Sequence, residues 1–284
     1  MKSKCKKKKK SKKSKSKEWR LFIAGMASPI EVAGSSNGPD SSSSTTENVV
    51  ENDQLGKRLG FSYEGWDNQE LETQLEDANR IPLDLCWGNE AFDSVTVNAS
   101  GRSGGLACLW DPKVFTKTGW FHDRRFIWVI GHIKGVKEVV NAVNVYGPHD
   151  PSRKMILWQQ LSDLRKLHQG LWILLGDFNS VRFPEDIFHS TFCKSSANDF
   201  NRFIEEEEEE ELFEYNMGGR KSTYLAANGA NLSEIDRVLV CKDFYRSWPE
   251  ACLTALPREK SDHCPITLIV QKKDFRPTPF KVYN

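Results

Sequence analysis

The sequence predicts an α/β protein in which much of the strand pairing is antiparallel. Runs of β-branched and aromatic residues alternate with helical patterns, but without the regular spacing that repeated βαβ units require. A strand at 106–110 precedes two strands at 126–133 and 139–146, and Lys134-Gly135 joins those two as a hairpin. This irregular order favours layers of sheet and helix over a doubly wound parallel sheet.

The second half of the chain supplies the remaining elements. Leu residues at helical spacing predict a helix over 152–167, and the wholly apolar run 171–175 predicts a strand buried on both faces. A second amphipathic helix is expected to begin at Phe200 and to run into seven consecutive Glu, 205–211, as its solvated face. Three more strands are expected at 222–226, 235–240 and 266–270.

Charge divides the 284-residue chain into a basic leader and an acidic body. Residues 1–20 hold 11 Lys and one Arg against one Glu, a net charge of +11. Since the whole chain carries +1, the other residues carry −10. Lys- and Ser-rich sequence does not bury enough apolar surface to fold. We therefore expect 1–80 to be a disordered leader, 81–272 a folded domain and 273–284 a tail.

The tract 1–17 consists of Lys and Ser apart from Met1 and Cys5. Such a tract is typical of a nuclear localisation signal or of an arm that binds phosphate groups, and a solvated tail is the structural alternative. We expect the protein to reside in the nucleus. No run reaches the 18 apolar residues that a membrane span needs, so no membrane partner is expected.

Polar residues follow apolar strands in three segments: Asn144-Val145-Tyr146-Gly147-Pro148, Gly176-Asp177-Phe178-Asn179 and Ser261-Asp262-His263-Cys264-Pro265. Such strand-to-loop positions often carry catalytic groups, because the strand fixes them and the loop admits substrate. Taken singly, each segment is ordinary turn chemistry, and a lone His beside Asp is more often a surface pair than a base. Only the combination of the three segments, in this order along the chain, indicates a catalytic site.

In that order the segments resemble the endonuclease/exonuclease/phosphatase superfamily, and most closely the endonuclease domain of plant non-LTR (LINE-type) retrotransposons. The resemblance runs from about Leu85 to Val270 and includes further motifs: Trp87-Gly88-Asn89, Gly101-Arg102-Ser103-Gly104-Gly105 and Ile235-Asp236-Arg237-Val238. It implies a four-layer sandwich of two mostly antiparallel sheets flanked by helices. It also implies hydrolysis of DNA phosphodiesters with Mg²⁺ or Mn²⁺.

The resemblance implies that three residues contact the attacking water or the phosphate. Asp177 would orient or deprotonate the attacking water. Asn179 would hold that water and a phosphate oxygen, and Tyr146 would contact the phosphate.

Three more residues would act on the phosphate and the metal. His263 would stabilise charge on the scissile phosphate, Asp236 would hydrogen-bond His263, and Asp262 would be a metal ligand. These roles are physically consistent, because the transition state needs donors and a cation where negative charge develops.

The sequence departs from the family pattern at its beginning. The Asn of a Trp-Asn-Ile-Arg-Gly-like motif and the Glu of a Gln-Glu-Thr-like motif, both metal-site residues on the family's first strands, have no match here. Glu70 and Glu72 lie upstream, but no apolar strand precedes them, and solvated helix charges are the favoured interpretation. We expect the family's first strands to be missing, metal binding to be weakened and magnesium-dependent nicking to be slight or absent.

Two functions remain open at this point. The first is a DNA-nicking endonuclease or related phosphodiesterase. The second is a non-catalytic remnant that binds DNA, with RNA as an alternative, through the Lys-rich arm and the phosphate cleft. A small-molecule phosphatase of the same superfamily is less favoured, because the closest resemblance is to retroelement endonucleases.

Overall fold

The structure, a computed structural model, describes residues 91–98, 105–205, 211–258 and 261–270, together with the backbone of 19–20. Apart from those two residues, the expected leader 1–80 lies outside the described residues. So do the expected tail 273–284 and both upstream carboxylates, Glu70 and Glu72.

The strands of the first half are β1 (Trp19–Arg20), β2 (Asp93–Val97), β3 (Leu106–Trp110), β4 (Phe115–His122), β5 (Phe126–Ile133) and β6 (Val140–Tyr146). Helix α1 (Pro151–Leu167), β7 (Leu171–Asp177), β8 (Ile187–Phe188) and α2 (Lys194–Ile204) follow. The last elements are β9 (Leu212–Glu214), β10 (Met217–Gly219), β11 (Tyr224–Leu225), β12 (Leu232–Ser233), β13 (Asp236–Cys241), α3 (Lys242–Ser247), β14 (Cys252–Ala255) and β15 (Ile266–Val270).

A six-stranded sheet in the order β4-β5-β6-β7-β13-β9 forms the centre of the fold. Its neighbours pair antiparallel except β6 and β7, which run parallel because α1 carries the chain back across the sheet. The mixed α/β fold with mostly antiparallel pairing is therefore confirmed. All seven residues of β7 are buried, as expected for a strand covered on both faces.

Alternate residues of β5 pack on opposite faces of this sheet. Ile127 and Val129 join the core between the sheet and a second layer of strands, to which β2, β3, β14 and β15 contribute. Phe126 and Trp128 join the core beneath α1 and α2 on the other face. The described elements thus stack as helices, sheet and a second strand layer. No helix among the described residues is long and apolar enough to cross a membrane.

The second strand layer consists of two separate pieces within the described residues. One is the four-stranded sheet β1-β15-β14-β10 and the other is the pair β2-β3. The amide of Asn144 on β6 donates to the carbonyl of Ala107 on β3 at 3.1 Å and ties the smaller piece to the central sheet. An apolar cavity of about 60 Å³ lies between β15 and the central sheet, with Val238, Trp248 and Leu268 in its wall.

The helix predicted to carry the Glu run is placed differently. It begins at Lys194, six residues before Phe200, and ends at Ile204. Glu205 and Glu211 are therefore not part of this helix, and the interpretation of the Glu run as its solvated face is wrong for them. Glu205 is the C-cap, and residues 206–210 lie outside the described residues. Adjacent Glu side chains repel at helical spacing, and negative charge is unfavourable at a helix C-terminus.

The strand predictions were incomplete in two ways. The strand expected at 222–226 is only the two-residue β11. The longer strands β2, β4 and β14 were not predicted, and neither were the short strands β1, β8, β9, β10 and β12. Lys117, Thr118 and Gly119 interrupt the apolar alternation of β4, where the pairing with β5 also shifts register.

Candidate active site

The candidate active site lies at one end of the central sheet, where β6 and β7 end and β13 begins. Asp177 on β7 is the register partner of Tyr146 on one side and of Asp236 on the other. Neighbouring strands lie about 4.8 Å apart, so these three predicted residues form a row at one sheet end. All three are buried.

Asn179 holds the carboxylate of Asp177 through two hydrogen bonds. Its backbone N–H donates to Oδ1 at 2.7 Å, and its side-chain amide donates to Oδ2 at 2.9 Å. The same amide nitrogen donates to the carbonyl of Gly147 at 2.8 Å. Asn179 adopts the left-handed conformation, with φ of 48°, which Asn tolerates better than most residues. These hydrogen bonds hold the carboxylate of Asp177 and the side chain of Asn179 in one fixed geometry.

Glycines allow the backbones of this region to approach one another. Gly176 has a φ of +130°, and a Cβ there would lie 2.2 Å from the carbonyl oxygen of Val145 on β6. A Cβ on Gly147 would lie 2.3 Å from the carbonyl oxygen of Phe178. Both positions therefore need glycine, which gives the Gly-Asp-Phe-Asn and Tyr-Gly-Pro motifs a structural reason.

His263 and Asp236 form a buried pair, with His263 Nδ1 2.8 Å from Asp236 Oδ2. Burial acts to lower the pKa of His263. The hydrogen bond and charge of Asp236, with the charges of Asp177 and Asp262, outweigh burial and raise the pKa to about 9. The ring is therefore an imidazolium at neutral pH, and both of its nitrogens are hydrogen-bond donors.

Thr223 and Tyr224 support this pair, although no sequence motif distinguishes them within the strand expected at 222–226. The hydroxyl of buried Thr223 accepts from the backbone N–H groups of Ile235 and Asp236, each at 3.1 Å. The ring of Tyr224 packs on that of His263 with centroids 4.9 Å apart. These contacts join β11 to β13 and to the loop of His263.

Asp262 lies beside this pair. Its carbonyl accepts from the N–H of Leu225 at 2.9 Å, and the hydroxyl of Ser261 donates to its Oδ1 at 3.4 Å. Its charge acts on His263, as does that of Asp177. The structure thus brings the six predicted site residues together at one sheet end.

Two basic residues also reach the site, and the sequence interpretation did not include them. Lys154, in the first turn of α1, donates from Nζ to the carbonyl of Asn179 and is almost fully buried. The guanidinium of Arg125 lies over the ring of Tyr146, with Cζ 5.5 Å from the ring centroid. Only the tertiary fold brings them here, because no motif in the sequence sets these two residues apart.

The described residues do not provide a complete divalent-metal site. Among them, no group of three His, Cys, Asp or Glu side chains is arranged to hold a metal ion. Asp177 and Asp262 offer two carboxylates, and both oxygens of Asp177 already accept from Asn179. The assignment of Asp262 as a metal ligand stays a prediction.

Comparison with known proteins adds the context for this geometry. The model of the Endonuclease/Exonuclease/phosphatase family matches residues 69–263. No curated protein sequence matches the chain.

Solved structures with a similar fold include the 3′ phosphatase NExo from Neisseria bound to a product DNA hairpin. It has 17% identity and a TM-score of 0.51, and the match covers 69% of this chain and 85% of that one. An AP endonuclease from Archaeoglobus fulgidus has 17% identity and a TM-score of 0.50, with 70% and 86% covered. The endonuclease domain of TRAS1, a telomere-specific non-LTR retrotransposon, has 14% identity and a TM-score of 0.49, with 64% and 81% covered.

Proposed function

We propose that this chain, which belongs to the Endonuclease/Exonuclease/phosphatase family, is a phosphodiester hydrolase that nicks DNA and derives from a retrotransposon endonuclease. The observation that carries the proposal is the pairing of two devices at one sheet end. One is a carboxylate held by Asn179, and the other is a buried imidazolium held by Asp236. Hydrolysis of a phosphodiester needs a base that accepts a proton from the attacking water. It also needs a cation that stabilises the negative charge developing on the phosphate.

In the proposed reaction Asp177 orients a water molecule and accepts its proton as the water oxygen bonds to phosphorus. The bond from phosphorus to the leaving sugar oxygen breaks, and that oxygen takes up a proton from solvent. Asn179 fixes the orientation of this carboxylate through two hydrogen bonds, so the proposed base is held in one geometry. The Nζ of Lys154 donates to the backbone carbonyl of Asn179 and so helps to hold Asn179 in place. The held geometry lowers the entropic cost of bringing water to the phosphorus atom.

His263 acts on the phosphate. As an imidazolium it donates hydrogen bonds to oxygens that gain negative charge in the transition state. Asp236 fixes the ring orientation and stabilises its positive charge. Tyr146 stands on the other side of Asp177 and is proposed to contact the same phosphate.

We propose that this activity depends on Mg²⁺ or Mn²⁺, that Asp262 is a ligand, and that metal binding is weak. Magnesium is usually held by one or two carboxylates with waters and substrate oxygens. The Asn and Glu that the family pattern places on its first strands have no match in the sequence. The expected result is reduced or absent nicking.

Nicking of supercoiled plasmid DNA by the full chain tests the proposal, with Mg²⁺ and with Mn²⁺. Any nicking is expected to be slow and to fall by about 100-fold or more in Asp177→Ala, because a general base contributes about that much. Asp163→Ala, on the exposed face of α1, is the matched control and should nick like the unaltered chain. Nicking that survives Asp177→Ala would contradict the site. Vigorous nicking that Asp177→Ala abolishes would contradict only the proposed loss of activity.

The Lys-rich composition of 1–17 favours a second candidate, a non-catalytic nucleic-acid-binding protein of the nucleus. The rest of the chain is acidic, so binding through the arm should be blind to sequence and fall steeply with salt. Removing 2–17 leaves β1 intact and is expected to abolish such binding to DNA or RNA, measured by fluorescence anisotropy. Localisation of a fluorescent fusion with and without 2–17 tests the nuclear assignment.

A further inference from the structure

Two aromatic side chains form an exposed stack on β8 and the residue that follows it. Phe188 is 55% exposed, and the ring of His189 lies over it with centroids 3.9 Å apart and an interplanar angle of 22°. Successive residues of a strand normally point to opposite faces. His189 departs from extended backbone with a φ of 58°, so both rings lie on one side. Phe188 and His189 are called the aromatic platform here.

Strand pairing connects the aromatic platform to the candidate active site. Phe188 is the register partner of Leu232 on β12, and Leu232 is the register partner of Leu225 on β11. The N–H of Leu225 donates to the carbonyl of Asp262, the residue before His263. Each of these backbone steps spans about 4.8 Å, so Phe188 lies about 14 Å from Asp262. A nucleic-acid strand that is bound at the site can therefore reach the platform.

The segment that leads into β8 is fixed to the central sheet. The carboxylate of Asp186 accepts from the backbone N–H groups of Arg182 and Phe183, at 2.7 and 3.1 Å. The same oxygen accepts from the guanidinium of Arg237 at 2.6 Å, and Arg237 is buried on β13. The aromatic platform is thus held in place before any ligand arrives, which lowers the entropic cost of binding.

The chemistry of the aromatic platform suits the flat face of a nucleobase. Bases stack on aromatic side chains whatever their sequence, because every base has a π face. Residues beyond position 20 carry a net charge of −10, which repels phosphate groups. Stacking does not depend on charge, so it can hold nucleic acid on an acidic body where attraction to phosphate cannot.

We propose that the aromatic platform binds an unpaired nucleobase of the substrate by stacking on Phe188; this inference rests on the proposed function. One DNA strand advances about 3.4 Å per nucleotide, so 14 Å places that base about four nucleotides from the scissile phosphate. A base inside a duplex is already stacked on its neighbours and does not offer its face. The substrate class is therefore DNA with unpaired nucleotides beside the cleavage site.

The first test measures binding, not cleavage. The full chain is titrated in EDTA, at about 200 mM salt, onto a labelled single-stranded oligonucleotide of about 12 thymidines, followed by fluorescence anisotropy. Phe188→Ala is expected to weaken binding about 10-fold, the usual effect of losing one stacked base, without changing the salt dependence. Phe188→Tyr keeps an aromatic ring and should bind like the unaltered chain. Leu167→Ala is the matched control, because Leu167 is 63% exposed at the opposite end of the central sheet.

Two further ligands separate stacking from attraction to phosphate by the Lys-rich arm. An oligonucleotide of abasic nucleotides keeps the phosphates but has no bases, and it should bind Phe188→Ala and the unaltered chain equally. A fully paired blunt duplex should also bind both equally. Weaker binding of the abasic strand or of the duplex by a folded Phe188→Ala variant would overturn the inference, as would equal binding of the thymidine strand.

A second measurement uses the unaltered chain and does not depend on folding of a variant. A single-stranded oligonucleotide containing 5-iododeoxyuridine is irradiated in the complex, and mass spectrometry locates the crosslinked peptide. A crosslink at Phe188 or His189 is expected, and crosslinks confined to other residues would overturn the inference. Nicking through Asp177 without a Phe188 effect on binding contradicts this inference alone. Binding of single strands that depends on Phe188, without nicking, contradicts the hydrolase proposal alone.

Discussion

Asp236 determines the charge of His263. Burial alone disfavours an imidazolium, and the hydrogen bond and charge of Asp236 are the largest of the effects that oppose it. In Asp236→Asn the pKa of His263 is expected to fall from about 9 toward or below its ordinary 6.5. Titration of the His263 ring protons by NMR measures this fall. Exposed His132 serves as the internal control, and a His263 pKa that stays near 9 would contradict the role of Asp236.

The same pair makes stability depend on pH. The pKa of His263 is raised from 6.5 to about 9 on folding, so the folded protein binds the proton more tightly than the unfolded chain. This stabilisation is complete below pH 6.5 and is lost as pH rises through 9, by about 3 kcal/mol. Urea unfolding between pH 6 and pH 9.5 measures the loss. His263→Gln should be less stable at pH 6 and should lack this drop, whereas His132→Gln should retain it.

Gly176 allows β6 and β7 to pair up to Asp177, the proposed base. Gly176→Ala would place a methyl group 2.2 Å from the carbonyl of Val145 at a φ of +130°, so we expect a loss of about 3 kcal/mol or more. Gly135→Ala is the matched control, because Gly135 also has a positive φ of +93° but open space around it. That variant should lose only about 1 kcal/mol to backbone strain. Equal losses in urea unfolding would contradict the close approach of the two strands.

The elements that the sequence predicted best have strong local patterns. The bounds of β3, β5 and β15 agree with the prediction, and α1 differs from it by one residue at its start. β7 extends two residues beyond the predicted Leu175. Gly176 and Asp177, which have the composition of a turn, continue its pairing with strands on both sides. Such short or polar stretches become strand only through their neighbours, so propensity does not reveal them.

In the candidate site too, residues in local motifs could be predicted, whereas contacts between distant segments could not. The motifs placed Asp177 correctly at the end of β7, whereas His263 lies in the loop before β15 and not at a strand end. The structure brings these two residues together. The supporting contacts of Thr223, Lys154 and Arg125 join segments far apart in sequence, so no local pattern could indicate them.

The second strand layer and the metal site are linked, because the family's first strands belong to both. The layer is split into two pieces within the described residues, and an apolar cavity lies between β15 and the central sheet. The family's first-strand motifs have no match in the sequence. Those motifs would supply an Asn and a Glu to the metal. Strand layer and metal affinity should therefore be weakened together.

Metal titration of the full chain, followed by thermal unfolding, tests this connection. A ligand that binds only the folded state stabilises it by RT ln(1 + [L]/Kd). With a dissociation constant of about 10 mM or weaker, about 10 mM Mg²⁺ or Mn²⁺ should stabilise the protein by about 0.4 kcal/mol at most. NaCl of equal ionic strength is the solvent control, and Asp243→Asn, at an exposed position on α3, is the control for Asp262→Asn. Stabilisation of about 2 kcal/mol or more that Asp262→Asn removes would demonstrate a strong metal site, because only binding well below the added concentration yields that shift.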